Sequence, residues 1–175
     1  MIKTGLAILA AIGSLLGATP GVGGAAPDFS LTRAQGGMLR LADAMAKGPV
    51  VLVVLRGYPG YQCPMCNRQV QDFLRNAKSF GETRVLMVYP GAGVDLAAKA
   101  KEFMNGKEFP ANFELLLDPD YEFTKLYDLR WDKAGETAYP STFIIDGKGV
   151  VTFAKVSRTH GDRATAAEVA AALKH

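Results

Sequence analysis

The sequence predicts an α/β domain in which a central mixed β-sheet is covered by helices on both faces. Three observations predict it. Val50-Val-Leu-Val-Val-Leu55 is a continuous apolar run of buried-strand length. Directly after it, from Pro64, apolar residues recur at the spacing of one helical stripe. Strand and helix patterns then alternate until a hairpin and a last helix close the chain. With 175 residues, 49% of them hydrophobic and 21% charged, the chain can bury one full core.

Taken in order, the first segment is a leader rather than part of that core. Lys3 precedes an apolar stretch from Gly5 to Ala18, and small, turn-prone residues follow from Thr19 to Ala26, the layout of a secretory signal peptide. The expected division is residues 1–25 as a cleaved signal peptide, with cleavage near Ala18 or Ala25, and residues 26–175 as the folded domain. The apolar stretch has about 14 residues against the roughly 20 that a spanning helix needs, so no stable membrane insertion is expected after cleavage. The mature protein is then exported, to the periplasm or another extracytoplasmic space.

Asp28-Phe-Ser-Leu-Thr32 and Met38-Leu-Arg-Leu41 read as short strands around a Gly36-Gly37 turn, and Val50 to Leu55 as a buried strand. A helix is predicted over 64–80, with Cys66, Val70, Phe73, Leu74 and Ala77 on one stripe and Gly81 as its stop. Arg84 to Tyr89 is a second central strand. Asp95 is placed to cap a helix carrying Leu96, Ala100, Phe103 and Met104. Phe113 to Leu117 is strand-like, and Asp118-Pro119 opens a short helix with Phe123, Leu126 and Tyr127. Thr142 to Ile145 and Val150 to Phe153 pair through the turn Asp146-Gly-Lys-Gly149, and Thr165 with Glu168 offers a capping box for the last helix.

Removing the leader lowers the formal net charge of +3 by one, and the remaining Lys and Arg are interspersed with Asp and Glu. That excludes the dense basic footprint of a nucleic-acid binder. The informative residues are the two cysteines, Cys63 and Cys66, which form a C-P-M-C pair after the Val50–Leu55 run. A disulfide across so small a loop removes little chain entropy, on the order of 2 kcal/mol before strain, so it suits exchange better than stapling. The other uses of such a pair are burial as two small hydrophobes or half of a metal site. Zinc would need about four ligands, and only His160 and His175 could assist. Haem attachment would need His at residue 67, which is Asn. No cofactor and no metal are therefore expected.

Four pieces, Ala26-Pro-Asp-Phe-Ser-Leu31, Cys63-Pro-Met-Cys66, Leu117-Asp-Pro-Asp120 and Pro140-Ser-Thr-Phe-Ile-Ile-Asp-Gly-Lys-Gly149, resemble the alkyl hydroperoxide reductase and thiol-specific antioxidant branch of the thioredoxin-fold superfamily. The resemblance spans about residues 26–175 and implies a thioredoxin-like fold with a peroxiredoxin-like domain. Cys63 would lie at a helix N-terminus, where unpaired N–H groups and the dipole favour its thiolate, with Pro64 at the first helical position. Cys63 is then the candidate nucleophile and Cys66 the resolving thiol. The resemblance also implies that Pro140 begins a strand near the sulfurs through a cis Tyr139–Pro140 bond, with Tyr139 presenting backbone groups to a thiol substrate.

The chain departs from the peroxiredoxin pattern where it matters for peroxide activation. Arg56 and Gly60 stand where the family has Pro and Thr or Ser, and Pro140 stands where it commonly has Arg. Arg56 is the candidate to compensate, by folding over the thiolate. Exported thioredoxin-like reductases carry a carboxylate three residues after the second cysteine, where this chain has Gln69. Tyr58, Tyr61 and Trp131 would line a groove or pack, Arg68 would face solvent, and Asp118 would cap a helix. The leading expectation is an exported thiol-disulfide oxidoreductase using the C-x-x-C couple. The alternatives are a peroxiredoxin-like thiol peroxidase with an antioxidant role and a nonenzymatic module holding a soft metal. The implied partners are a dithiol electron-donor protein and a disulfide-containing protein or hydroperoxide substrate.

Overall fold

Strands and helices alternate along residues 17–174, the part of the chain that the computed structural model describes. β1 (Ser30–Arg33) and β2 (Met38–Arg40) form the opening hairpin. They are followed by α1 (Leu41–Met45), β3 (Val50–Val54), α2 (Pro64–Arg75), β4 (Arg84–Gly91), α3 (Leu96–Met104), β5 (Phe113–Pro119) and α4 (Glu122–Leu126). β6 (Ser141–Ile145), β7 (Val151–Val156) and α5 (Ala166–Ala172) close the fold. The strands join one sheet in the order β2-β1-β5-β4-β3-β6-β7. β3, β4 and β5 run parallel, while β6 pairs antiparallel with β3, and the two hairpins form its edges. This is the mixed, doubly covered sheet of a thioredoxin-like fold.

β3 is central and buried on both faces, which is why its sequence is apolar at every position. Successive side chains alternate between two cores. Val51, Val53 and Leu55 pack with Val70 and Phe73 of α2, Phe103 of α3 and Val169 of α5. Val50, Leu52 and Val54 pack on the other face with Phe123, Tyr127 and Phe143.

Three local expectations are corrected. The helix predicted over 64–80 ends at Arg75, because the Asn76 side-chain amide bonds to the Asp72 carbonyl (2.8 Å) and its backbone leaves the helical region. A short 3₁₀ turn, Ala77–Phe80, then brings Phe80 back to stack on Phe73 at 5.3 Å between ring centroids. Asp95 precedes α3 but makes no side-chain cap bond, since its φ of −91° and ψ of 0° are not the extended conformation a capping side chain needs. The Tyr139–Pro140 bond is trans. That form lets the Tyr139 N–H donate to the Leu129 carbonyl and the Pro140 carbonyl accept from Ser157, each at 2.9 Å. The capping box of α5 forms as expected, with Thr165 Oγ1 accepting from the Glu168 N–H (3.2 Å) and Glu168 Oε2 from the Thr165 N–H (2.9 Å).

Residues 1–16 of the expected leader lie outside the described residues. The segment after them is paired with the sheet: the Gly23 N–H donates to the Val151 carbonyl (2.8 Å), Val151 to Gly24 (2.9 Å) and Ala26 to Gly149 (2.8 Å). Among the described residues no helix is long and apolar enough to cross a membrane.

Candidate active site

The site sits at the C-terminal end of the parallel strands, where βα loops of α/β sheets gather functional groups. After β3 the Leu55 N–H still pairs with Val88 (2.9 Å), and the chain then turns over the end of β4 through Gly57. Gly57 has φ of +71°, and a Cβ there would collide with Pro90, so only glycine fits. The Tyr58 N–H donates to the Pro90 carbonyl (2.8 Å) and Gln62 accepts from the Tyr89 hydroxyl (2.8 Å), which fixes both ends of the loop. Cys63 therefore enters as the N-cap of α2, with Pro64 at the first helical position.

Both cysteines are free thiols, and both are buried: Cys63 is 3% exposed and Cys66 0%. The Cys63 sulfur accepts from the Cys66 N–H at 3.4 Å, one of the donors a helix N-terminus leaves unpaired. Its pKa falls to about 5: the Cys66 thiol donates to it, burial opposes, and the Cys66 N–H, the Arg163 charge and Arg56 add further lowering. Burial and the neighbouring Cys63 sulfur push Cys66 well above the ordinary thiol value. The pair thus shares one proton at neutral pH, held by Cys66. Alkylation of Cys63 by iodoacetamide is expected to rise through a midpoint near pH 5 and to be flat above about pH 7. A midpoint above pH 8 would remove this assignment of charge.

Two arginines from distant parts of the chain supply positive charge. Arg56 is 4% exposed and donates through Nε to Glu136 Oε2 (2.6 Å), through Nη1 to the Tyr61 hydroxyl (2.7 Å) and through Nη2 to the Gly135 carbonyl (2.7 Å). Glu136 also meets His160 Nε2 at 2.8 Å. Burial would raise the Glu136 pKa, but hydrogen bonds from Arg56 and His160 hold it below the usual carboxylate value. Arg163, in the loop before α5, places Nη1 3.4 Å from Cys66 Sγ and Nη2 4.0 Å from Cys63 Sγ. Its Nε donates to the His160 carbonyl (2.9 Å) and its Nη1 to Gln69 Oε1 (3.2 Å).

Of the residues singled out from the sequence, Cys63, Cys66 and Arg56 come together. Tyr139 and Pro140 make no hydrogen bond to either sulfur. The Tyr139 ring stacks on Trp131 at 4.7 Å with the Arg158 guanidinium also over it at 4.7 Å, and Trp131 in turn meets His160 at 5.1 Å. Gln69, which cannot relay a proton, holds Arg163 instead, Asp118 caps α4 through the Phe123 and Thr124 N–H groups, and Arg68 faces solvent. Arg163 and Glu136 were not legible beforehand: both stand in loops without periodicity, and Arg163 is 100 residues from Cys63. The N–H that Ala166 donates to Asp72 of α2 (2.7 Å) is what returns the Arg163 loop to the thiols.

Cys63 lines a cleft of about 340 Å³ together with Gln62, Pro64, Asn67, Glu102, Phe103 and Lys107. A reactive sulfur beside a cleft, its charge set by a helix end and two guanidinium groups, is equipped for thiol redox chemistry.

Known proteins share this fold. Among solved structures, the chain is similar to a peroxiredoxin-like protein from Aquifex aeolicus, with 18% identity, coverage of 91% of this chain and 89% of that one, and a TM-score of 0.72. It is similar to peroxidoxin BcpB from Mycobacterium tuberculosis, with 25% identity, 89% and 95% coverage and a TM-score of 0.68. A third is reduced Prx3 in complex with hydrogen peroxide from Vibrio vulnificus, with 22% identity, 87% and 98% coverage and a TM-score of 0.71. No curated protein matches. The AhpC/TSA family model matches residues 22–154, more than half of the chain. This protein accordingly belongs to the AhpC/TSA family and is a thiol oxidoreductase.

Proposed function

We propose that the chain is a thiol peroxidase in which Cys63 reduces hydroperoxides and Cys66 resolves the product, which reverses the order of the two enzymatic readings above. The observation that carries it is the Cys63 sulfur, almost wholly buried beside its cleft at the N-terminus of α2 and flanked by Arg163 and Arg56, surroundings that favour its thiolate. A protein disulfide would have to bring its own S–S bond, with its backbone, in line with that sulfur. A hydroperoxide presents a two-atom bond on a narrow group and fits where a protein chain does not. The peroxiredoxin-like neighbours support the same choice.

The thiolate attacks one oxygen of the O–O bond. A S–O bond forms, the O–O bond breaks, and the leaving oxygen takes a proton to become an alcohol or water, with the guanidinium charges stabilising the developing oxyanion. Cys63 is left as the sulfenic acid, oxidised by two electrons. Cys66 then displaces that oxygen as water and forms the disulfide, which an external dithiol protein reduces. The arginines also argue against the soft-metal reading, because a cation between the two sulfurs would lie beside two positive groups.

Turnover of hydrogen peroxide, an organic hydroperoxide and insulin by one preparation of the protein, with a dithiol donor, tests the reading. Hydroperoxides should be consumed and insulin reduced slowly. Insulin reduction without hydroperoxide consumption would restore thiol-disulfide exchange.

Export accompanies this proposal, with the leader cut on the N-terminal side of Thr19, since a cut after Ala25 would strip Gly23 and Gly24 from Val151. N-terminal sequencing of the extracytoplasmic protein should begin at or before Thr19. A mature chain starting at Ala26, or intact protein in the cytoplasm, would refute it.

A further inference from the structure

The guanidinium of Arg163 lies nearer to the sulfur that holds the proton than to the one that carries the charge: 3.4 Å to Cys66 Sγ against 4.0 Å to Cys63 Sγ. That placement is poorly suited to activating Cys63 alone. Nor is it accidental, because α2 itself builds the seat. Gln69, one helical turn beyond Cys66, accepts from Arg163 Nη1 (3.2 Å) and donates to the Ala164 carbonyl (3.2 Å), so it grips the loop on both sides of the arginine. The His160 carbonyl takes Nε (2.9 Å) and Asp72 takes the Ala166 N–H (2.7 Å).

Building on the peroxidase reading, we propose that Arg163 is a catalytic residue of its second half-reaction, stabilising the Cys66 thiolate once Cys63 carries the sulfenic oxygen. In that step Cys66 gives up its proton and its sulfur attacks Cys63 Sγ. The S–S bond forms, the S–O bond breaks, and the hydroxide leaves with the proton as water, so no further oxidant is consumed. Cys66 is 0% exposed, and a thiolate at such a site needs a partner because water cannot reach it.

The charges around Cys66 change at the right moment. Before peroxide arrives, Cys63 is an anion at the start of the same helix that accepts a hydrogen bond from the Cys66 thiol and repels a second negative charge. Oxidation makes Cys63 neutral and removes both effects. Tyr89, facing from β4, stays neutral because burial raises its pKa. Arg56, beyond Cys63, remains committed to Glu136, Tyr61 and Gly135. Arg163 is then the cation in contact with the sulfur that must ionise. One guanidinium thus serves Cys63 by its charge in the first step and Cys66 by direct contact in the second.

The decisive experiment separates the two thiols. In Cys63→Ser protein the neutral hydroxyl stands in for the oxidised residue, and the pH dependence of the ultraviolet thiolate absorbance, which needs no reagent to reach the buried sulfur, reads Cys66 alone. Adding Arg163→Met should lower the Cys66 thiolate fraction at a given pH by about tenfold, a midpoint about one unit higher, and Arg163→Lys should recover part of it. In the protein with both cysteines, Arg163→Met should slow disulfide formation by about tenfold or more and let a dimedone-trapped sulfenic acid accumulate, while slowing sulfenic acid formation less. An unchanged Cys66 midpoint, or equal slowing of both steps, overturns the proposal. Recovery by Arg163→Lys, with an unaltered thermal melt, distinguishes this from lost folding. If the protein with both cysteines never forms a sulfenic acid, the peroxidase reading fails and takes the second half-reaction with it, whereas a shifted Cys66 midpoint would still show the contact itself to be real.

Discussion

Serine at position 63 is expected to lower hydroperoxide turnover by at least about a thousandfold. No other residue near the site offers a comparable nucleophile: Cys66 holds the shared proton and is sealed from solvent. An alcohol oxygen in place of the sulfur is not ionised at neutral pH. Serine at position 66 should behave differently. Its hydroxyl can still donate to Cys63, so the first oxidation should proceed with one equivalent of peroxide and stop at a sulfenic acid that dimedone captures. Steady turnover with a dithiol donor should then fall by about tenfold or more, because the direct disulfide cannot form. Equal loss of the first equivalent in both variants would mean that the cysteines do not divide the work. Full turnover by Cys66→Ser would mean that the resolving thiol comes from elsewhere.

Glu136→Leu is expected to destabilise the fold by about 3 kcal/mol, read as a lower denaturant midpoint with an unchanged slope. Arg56 and Glu136 are 4% and 10% exposed, and their 2.6 Å contact neutralises a guanidinium enclosed by the loops after β3 and before β6. Removing the carboxylate leaves that charge with the Tyr61 hydroxyl, the Gly135 carbonyl and the neighbouring Cys63 sulfur, without its carboxylate partner. Glu136→Gln keeps the shape and an acceptor and should cost less. Arg56→Met combined with Glu136→Leu should recover much of the loss, because neither charge is then stranded. The pH dependence has a definite sign. The folded Glu136 pKa lies below the ordinary 4.5, so its contribution is complete above that value and is lost as the pH falls below it. A wild type no more stable than Glu136→Leu at neutral pH would show that the pair adds nothing.

Some of the site was legible from local patterns. The apolar run at Val50–Leu55 announces a strand buried on both faces, and Cys63-Pro64 marks a helix start, since proline suits a position whose N–H has no partner. Arg56 drew attention as a charge at the end of that strand, where peroxide activation by the usual family residues was missing. The expectation for Tyr139–Pro140 was different in kind. It came from resemblance alone, and it met a trans bond and a ring covered by Trp131. Neither Arg163 nor Glu136 carries any mark in the chain itself, since a lone charged residue in a polar loop looks the same whether it meets water or a thiolate.

By itself the sequence determined what depends on neighbours along the chain: the strand that feeds α2, the cysteine at its N-cap, and a second thiol three residues on at the spacing of a helical turn. Only the tertiary structure decided which sulfur keeps the proton and which cations attend them. Those outcomes depend on burial and on Coulomb interactions acting through space between groups far apart in the chain. The loops that meet over α2 bring Arg163 to Cys66 and Glu136 to Arg56, and such distances exist only once the sheet has closed.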